Sequence, residues 1–261
     1  MTRSIVFLTD YGLGDEFVGV CHGVMARIAP DTRVIDLTHR VPRQDVLAGA
    51  VALARAARFM PSDAVFVAVV DPGVGSERRP IAVEAASGAV LVGPDNGLLS
   101  MTWVELGGAV RAAEIASYEV LLHPVSRTFH GRDVFAPAAA HLATDFPFEE
   151  LGPPLPVGSL AELELATPMV TSGYIGARVV SIDGFGNVQL NVRPADLEKA
   201  GLSDPLEVGG RTIPRAATFS DVPQGQPAAI VDSQGYLALV VNRGSAAELL
   251  NLKERAAVVL S

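Results

Sequence analysis

The chain has 261 residues, 49% apolar and 19% charged, which is enough for one large domain or two ordinary ones and too apolar for a disordered chain. Its formal charge is −9 with no long lysine or arginine run, so it lacks the electrostatic footprint of a nucleic-acid binder. A single cysteine, Cys21, excludes an internal disulfide and a cysteine-built metal site, and reads as a small buried hydrophobe on a helix.

In chain order, Ser4–Thr9 is a short β-branched and aromatic run and predicts a buried strand. The apolar stretch Ile5–Leu8 stops at Thr9-Asp10, too short for a secretory signal or a membrane span, so the chain reads as cytoplasmic with no membrane partner. Asp15–Ile28 carries Phe17, Val20, Val24 and Ile28 at helical spacing, with Gly14 and Asp15 as caps. Arg33–Leu37 predicts a strand, Asp45–Phe59 a helix ended before Pro61, and Ala64–Val70 a strand buried on both faces. This alternation predicts an α/β layered domain with a mainly parallel sheet. Further strands are expected at Ile81–Ala85 and Val90–Gly93, a helix after Asp95-Asn96-Gly97, and a helix over Arg132–Ala143 with Pro137 in its first turn.

The texture changes across Glu149–Thr171, where Gly152-Pro153-Pro154-Leu155-Pro156 and Pro168 predict a linker. Short strand-like runs follow at Tyr174–Ile182, Asn187–Val192, Leu206–Val208, Ala228–Val231, Tyr236–Val241 and Ala256–Leu260, with short helices near Ala195–Ala200 and Ser245–Leu250. The division expected is an N-terminal α/β domain over 1–165 and a small C-terminal β-barrel over 166–261.

Asp10 and Asp71 each follow a strand of the proposed parallel sheet, and ligands of open α/β sheets bind at the carboxyl ends of strands. Asp-Tyr-Gly and Asp-Pro-Gly are also ordinary turn formers, but two such acids in one domain favour a functional crevice. Gly73-Val74-Gly75-Ser76 lacks the lysine of a phosphate loop and fits a tight turn better. His130 stands between Phe129 and Gly131, with Arg132 and Asp133 expected to pair locally. His22, His39, His123 and His141 show no metal-ligand spacing, so no metal or other cofactor is expected. Asp183-Gly184-Phe185-Gly186-Asn187, Ser233-Gln234-Gly235-Tyr236 and Asn242-Arg243-Gly244-Ser245 read as polar loops between strands, the first a hairpin.

Five segments in order carry a resemblance: Phe7-Leu8-Thr9-Asp10-Tyr11-Gly12, Val70-Asp71-Pro72-Gly73-Val74-Gly75, Gly93-Pro94-Asp95-Asn96-Gly97-Leu98-Leu99, Thr128–Pro137 and Asp183–Asn187. Together the chain resembles the S-adenosyl-L-methionine hydroxide adenosyltransferase family, hydrolases related to the fluorinases and chlorinases. The resemblance implies an α/β domain followed by a β-barrel, a homotrimer with sites between subunits, and attack of water on S-adenosylmethionine to give adenosine and methionine without a metal. The family's catalytic Asp-Arg-His trio falls on Asp71, Arg78 and His130, with Arg79 as the neighbouring alternative for the arginine. Its substrate-contacting positions fall on Asp10 at the ribose hydroxyls, Phe129 near the sugar or base, Asp183 at the methionine ammonium, Asn187, Ser233, and Asn242 at the adenine edge. The halogenases have an uncharged residue where this chain has Asp71, an extra loop that this chain lacks before Gly93, and an aromatic residue near the position of Gln44. A carboxylate beside the nucleophile repels a halide and accepts a proton from water, so the resemblance points to water.

Two readings from other classes stand beside it. One is a metal-dependent phosphohydrolase built on Asp10, Asp15 and Asp71. The other is a non-catalytic adenosine-binding module.

Overall fold

The computed structural model describes residues 2–261 and divides into two units, one ending at Glu164 and the other beginning at Leu165. In the first, strands β1 (Ile5–Thr9), β2 (Val34–Thr38), β3 (Val65–Val69), β4 (Pro80–Ala85), β5 (Val90–Pro94), β6 (Ala109–Glu114) and β7 (Pro154–Leu155) form one sheet in the order β2-β1-β3-β5-β4-β6-β7. The strands β2, β1, β3 and β5 run parallel, whereas β5-β4, β4-β6 and β6-β7 pair antiparallel, so the sheet is mixed. The reason is local: β4 and β5 are joined by a tight turn at Ser87-Gly88, too short for the crossover that a parallel pair needs.

Helices α1 (Phe17–Ile28), α2 (Val46–Ala57), α3 (Ser100–Glu105) and α4 (Ala136–Ala143) cover the two faces. Alternation along the strands decides which face each residue feeds. Ile5, Phe7, Val65 and Val67 join the core that holds α1 and α4, and Val6, Leu8, Phe66 and Ala68 join the core that holds α2. Cys21 is fully buried in the first core, as expected, and burial pushes its thiol up to about 12. Asp45 caps α2 by accepting from the Ala48 N–H at 3.0 Å.

The stretch expected as a linker is partly docked in the first unit. Pro154–Leu155 pairs with β6, Leu160 is buried in the second core, and Asp95 accepts from the Ala161 N–H at 2.8 Å. Its prolines fit because an edge strand can do without one N–H. The expected helix from Arg132 also differs. Gly131–Phe135 is a π-helical turn, and the α-helix starts at Ala136 with Pro137 in its first turn.

The second unit contains β8 (Met169–Thr171), β9 (Tyr174–Ile182), β10 (Val188–Leu190), β11 (Leu206–Val208), β12 (Arg211–Ile213), β13 (Pro227–Val231), β14 (Leu237–Val241) and β15 (Ala257–Leu260), with short helices α5 (Pro194–Ala200) and α6 (Ala246–Leu249). Its sheet runs β12-β11-β15-β9-β10-β14-β13, antiparallel throughout, with β8 on β9. A bridge from Arg215 to Ala229 brings the end of β12 against β13, so the sheet nearly closes into a barrel around Ile175, Val188, Leu206 and Leu239. Among the described residues no helix is long and apolar enough to cross a membrane.

Candidate active site

The site is built at the carboxyl ends of β1 and β3. Asp10 follows β1, and its carboxylate accepts from the Gln44 N–H at 2.8 Å. Asp71 follows β3 and opens two successive turns: Val74 N–H to the Asp71 carbonyl at 3.3 Å, then Ser76 N–H to the Gly73 carbonyl at 3.1 Å. The Ser76 hydroxyl accepts from the Arg78 N–H at 3.3 Å, so the chain doubles back and Arg78 faces Asp71. Gly75 is needed here. Its φ is +78°, and a Cβ would stand 2.5 Å from the Arg127 carbonyl oxygen. The glycines therefore serve a turn, as the sequence indicates.

Arg78 binds Asp71 through two nitrogens, Nε to Oδ1 at 3.2 Å and a terminal nitrogen to Oδ2. Both side chains are only 6% exposed, so solvent screens the pair little. The same terminal nitrogen lies 3.1 Å from Nδ1 of His130. A guanidinium can only donate, so Nδ1 accepts and the neutral ring carries its proton on Nε2. Burial first, and the charge of Arg78 second, hold the His130 pKa below the ordinary histidine value. The other terminal nitrogen of Arg78 is buried without a hydrogen-bond partner.

Arg79 goes elsewhere. It binds the Asp95 carboxylate from Nε at 2.8 Å and the Ser159 carbonyl at 2.7 Å. The geometry thus brings Arg78, and not Arg79, to Asp71 and His130.

Asp71 and His130 border a cavity of about 490 Å³ in the first unit, which Asp10 and Phe129 also line. Tyr11, Phe17 and Phe129 stand edge to face along it, with ring centroids 5.2–6.0 Å apart. They supply apolar surface for a flat ring. Burial, followed by the nearby Cys21, Asp10 and Asp71, pushes the Tyr11 phenol well above its usual range, so it remains neutral. Gly131 lets Tyr11 in, because a Cβ there would stand 2.0 Å from the phenol oxygen.

Three positioning groups had no assigned role at the site in the sequence, although the local pairing of Arg132 with Asp133 was expected and is present. Asp133, buried and paired with Arg132 at 2.6 Å, accepts from the Ser126 N–H at 2.8 Å and so holds the loop leading to His130. Asn96 donates to the Val70 carbonyl at 2.9 Å, directly before Asp71. Tyr11 lay inside a quoted motif, but only its contact with Gly131 reveals its place. Nothing in the sequence spacing could have paired Asp133 with the Ser126 N–H, Asn96 with the Val70 carbonyl, or Tyr11 with Gly131.

Asp183, Asn187, Ser233 and Asn242 lie on loops of the second unit. Asp183 shapes its own hairpin, accepting from the N–H groups of Phe185 and Asn187 at 2.9 Å each and from the Asn187 amide at 2.8 Å. The Asn242 amide donates to the Val222 carbonyl at 2.8 Å. Ser233 is exposed in the turn between β13 and β14.

The acids Asp10, Asp15 and Asp71 do not gather into a ligand cluster. Among the described residues, the one group of at least three histidine or carboxylate donors close enough to share an ion is His22, Asp36 and His39. These histidines showed no ligand spacing in the sequence. The helix α1 and the end of β2 bring them together.

An α/β domain with a carboxylate–arginine–histidine constellation beside its cavity, followed by a small β-barrel, is the arrangement to compare with known proteins. The chain belongs to the SAM hydroxide adenosyltransferase family: the family's N-terminal domain matches residues 5–152 and its C-terminal domain residues 177–259. It is 50% identical to the (R)-S-adenosyl-L-methionine hydrolase of Salinispora arenicola, over 95% of this chain and 94% of that one. It is 32% identical to the fluorinase of an Actinoplanes species over 95% of this chain and 94% of that one. The crystal structure of an uncharacterized conserved protein from Thermotoga maritima superposes with a TM-score of 0.90 at 35% identity, covering 98% of this chain and 99% of that one.

Proposed function

We propose that this protein hydrolyses S-adenosyl-L-methionine to adenosine and L-methionine, with Asp71, Arg78 and His130 as its catalytic residues. Water attacks C5′ of the ribose in line with the sulfur. The O–C5′ bond forms, the C5′–S bond breaks with its electron pair going to sulfur, and the water proton is released. Sulfur leaves as a neutral thioether, so no acid is required at the leaving group and no metal or cofactor is invoked.

The observation that carries the reading is the placement of one guanidinium between a carboxylate and a histidine beside the cavity. Asp71 receives the water proton. His130, its tautomer fixed by Arg78, donates from Nε2 to the oxygen and aims its lone pair. Arg78 orients both and spreads positive charge beside the developing hydroxide. Alignment of two reactants contributes roughly 7–11 kcal/mol to such a displacement, and a general base typically about 10²–10⁴-fold. Asp10 binds the ribose hydroxyls, and Phe129 with Tyr11 and Phe17 packs against the nucleoside. The negative charge of Asp71 disfavours a halide at the same place.

The substrate epimer follows the relatives' name, in which the R designation applies to the sulfonium centre. We also assign Asp183, Asn187, Ser233 and Asn242 to substrate contacts across a homotrimer, supplied to the cavity of a neighbouring subunit. Light scattering showing a fully active monomer would overturn this shared arrangement.

The test of the reaction is incubation with each sulfonium epimer of S-adenosyl-L-methionine, with and without chloride or fluoride, followed by chromatography. Adenosine and methionine should appear in equal amounts, from the R epimer in preference. A halogenated nucleoside as the main product would reject water as nucleophile. Tight adenosine binding without turnover would leave only the binding-module reading.

A further inference from the structure

His22 lies in the middle of α1, Asp36 on β2, and His39 in the turn that follows β2. None belongs to the cavity lining or to the trio above. Nε2 of His22 is 2.8 Å, and Nε2 of His39 3.0 Å, from the same oxygen, Oδ1 of Asp36. All three donor atoms lie within 4.8 Å of one another.

His39 distinguishes this group from an ordinary surface ion pair. Its side chain is 97% buried, since only 3% is exposed, yet its Nε2 makes no hydrogen bond. The contact with Asp36 is close in distance but off the line that a hydrogen bond needs. A buried ring nitrogen is thus aimed at the Asp36 carboxylate, and, against the opposing effect of burial, the attraction of both histidines helps hold the Asp36 pKa below its usual value. Its other nitrogen, Nδ1, sits 2.9 Å from the Thr9 hydroxyl, and the Phe7 ring packs edge-on at 4.8 Å. A metal at Nε2 would select the tautomer in which Nδ1–H donates to Thr9 and Nε2 presents its lone pair in a fixed direction. That is the outer-shell support that metal-binding histidines ordinarily have.

We propose that His22, Asp36 and His39 form a binding site for one divalent transition-metal ion of the zinc class, separate from the catalytic cavity. Two imidazoles and a carboxylate suit Zn²⁺ or Co²⁺, whereas Mg²⁺ and Ca²⁺ take oxygen ligands. In a tetrahedral zinc site with bonds near 2.0–2.1 Å, neighbouring ligand atoms stand about 3.3 Å apart. The two separations from Asp36 of 2.8 and 3.0 Å must open by a few tenths of an ångström, and with all three atoms inside 4.8 Å the rest is a matter of turning side chains. The His22 and Asp36 side chains are 33% and 45% exposed, so they can make that move and leave a coordination position open to water. The ion would sit behind the Asp10–Gly12 loop, because the His39 carbonyl accepts from the Gly12 N–H at 2.7 Å and the Thr9 hydroxyl accepts from the Tyr11 N–H at 3.2 Å. The proposal does not depend on the hydrolase reading.

The test uses untagged full-length protein stripped with a chelator and dialysed. It is titrated with ZnCl₂ by calorimetry and with CoCl₂ by visible absorption. One ion per chain is expected, with Co²⁺ bands of a four- or five-coordinate environment. His22→Ala and Asp36→Ala, both at part-exposed positions, should each weaken Zn²⁺ binding by more than the roughly 10–100-fold typical of losing a merely supporting partner. Their folding is checked by circular dichroism, since His39→Ala in the core risks unfolding. His130→Ala should bind Zn²⁺ as the unaltered protein does. No saturable binding, binding unchanged in His22→Ala and Asp36→Ala, or binding lost in His130→Ala would each overturn the assignment.

Discussion

The carboxylate of Asp71 meets the guanidinium of Arg78 edge to edge, so that each of its oxygens faces a different arginine nitrogen. A forked pair of this kind fixes the carboxylate plane as well as its charge. Asp71→Asn keeps the shape and removes the charge. Turnover should fall by about 10²-fold or more while adenosine affinity changes little. Chloride transfer should stay weak, because a neutral side chain does not build a halide pocket. Turnover equal to that of the unaltered protein would leave Asp71 with a binding role only.

Adjacent arginines provide an internal control. Arg78→Ala should lower kcat by roughly 10²–10³-fold, the usual worth of a donor at a developing oxyanion. Arg79→Ala should leave kcat within a few-fold and act on folding instead, since it leaves the buried Asp95 without its charged partner. Arg79 is itself part-exposed, so a loss of about 1–3 kcal/mol is expected in denaturant unfolding. The reverse pattern would move the catalytic arginine by one residue.

The role proposed for His130 puts it on the acid side of the pH profile. Its pKa is held down by burial and then by Arg78, so the neutral ring persists below the ordinary value of about 6.5. The kcat plateau should therefore continue below that pH and fall only at the lower folded value. Stability follows the same sign. Below about 6.5 the unfolded chain takes up this proton before the folded one, so His130 destabilises the fold progressively as pH drops toward its folded pKa and has no effect above 6.5. An NMR titration placing His130 at or above the ordinary value would contradict the tautomer drawn from Arg78.

Gly131→Ala tests how the Tyr11 ring is seated. A methyl group 2.0 Å from the phenol oxygen cannot be accommodated without displacing Tyr11 or the π-helical turn. Overpacking of this kind costs about 1–3 kcal/mol. Because Tyr11 lines the cavity, KM should rise more than kcat falls. A variant with unchanged KM would show that Tyr11 is remote from bound substrate.

The reaction drawn above needs no metal, and this is checkable apart from the His22 cluster. Chelator-stripped protein should turn over S-adenosylmethionine at the unaltered rate. Loss of activity restored by one divalent ion would reject the metal-free displacement.

By itself the sequence determined the layered N-terminal domain, because fully apolar runs such as Ala64–Val70 and helical spacing such as Phe17–Ile28 encode burial directly in one-dimensional pattern. It also placed Asp10 and Asp71 at strand ends, and its ordered motifs indicated the family. It missed β6, whose composition is ordinary, and the two-residue edge strand β7, because their pairing depends on distant partners. Only the tertiary structure put Arg78, and not Arg79, against Asp71 and His130, since neighbours in sequence can face opposite ways once a turn reverses the chain at Gly75. Only it showed Tyr11 seated on Gly131, 120 positions away, and Asn96 holding the carbonyl before Asp71. The same holds for His22, Asp36 and His39. Their spacing has no ligand signature, and a helix packed against a strand end brings three donors onto one point because the parallel sheet fixes where both elements stop.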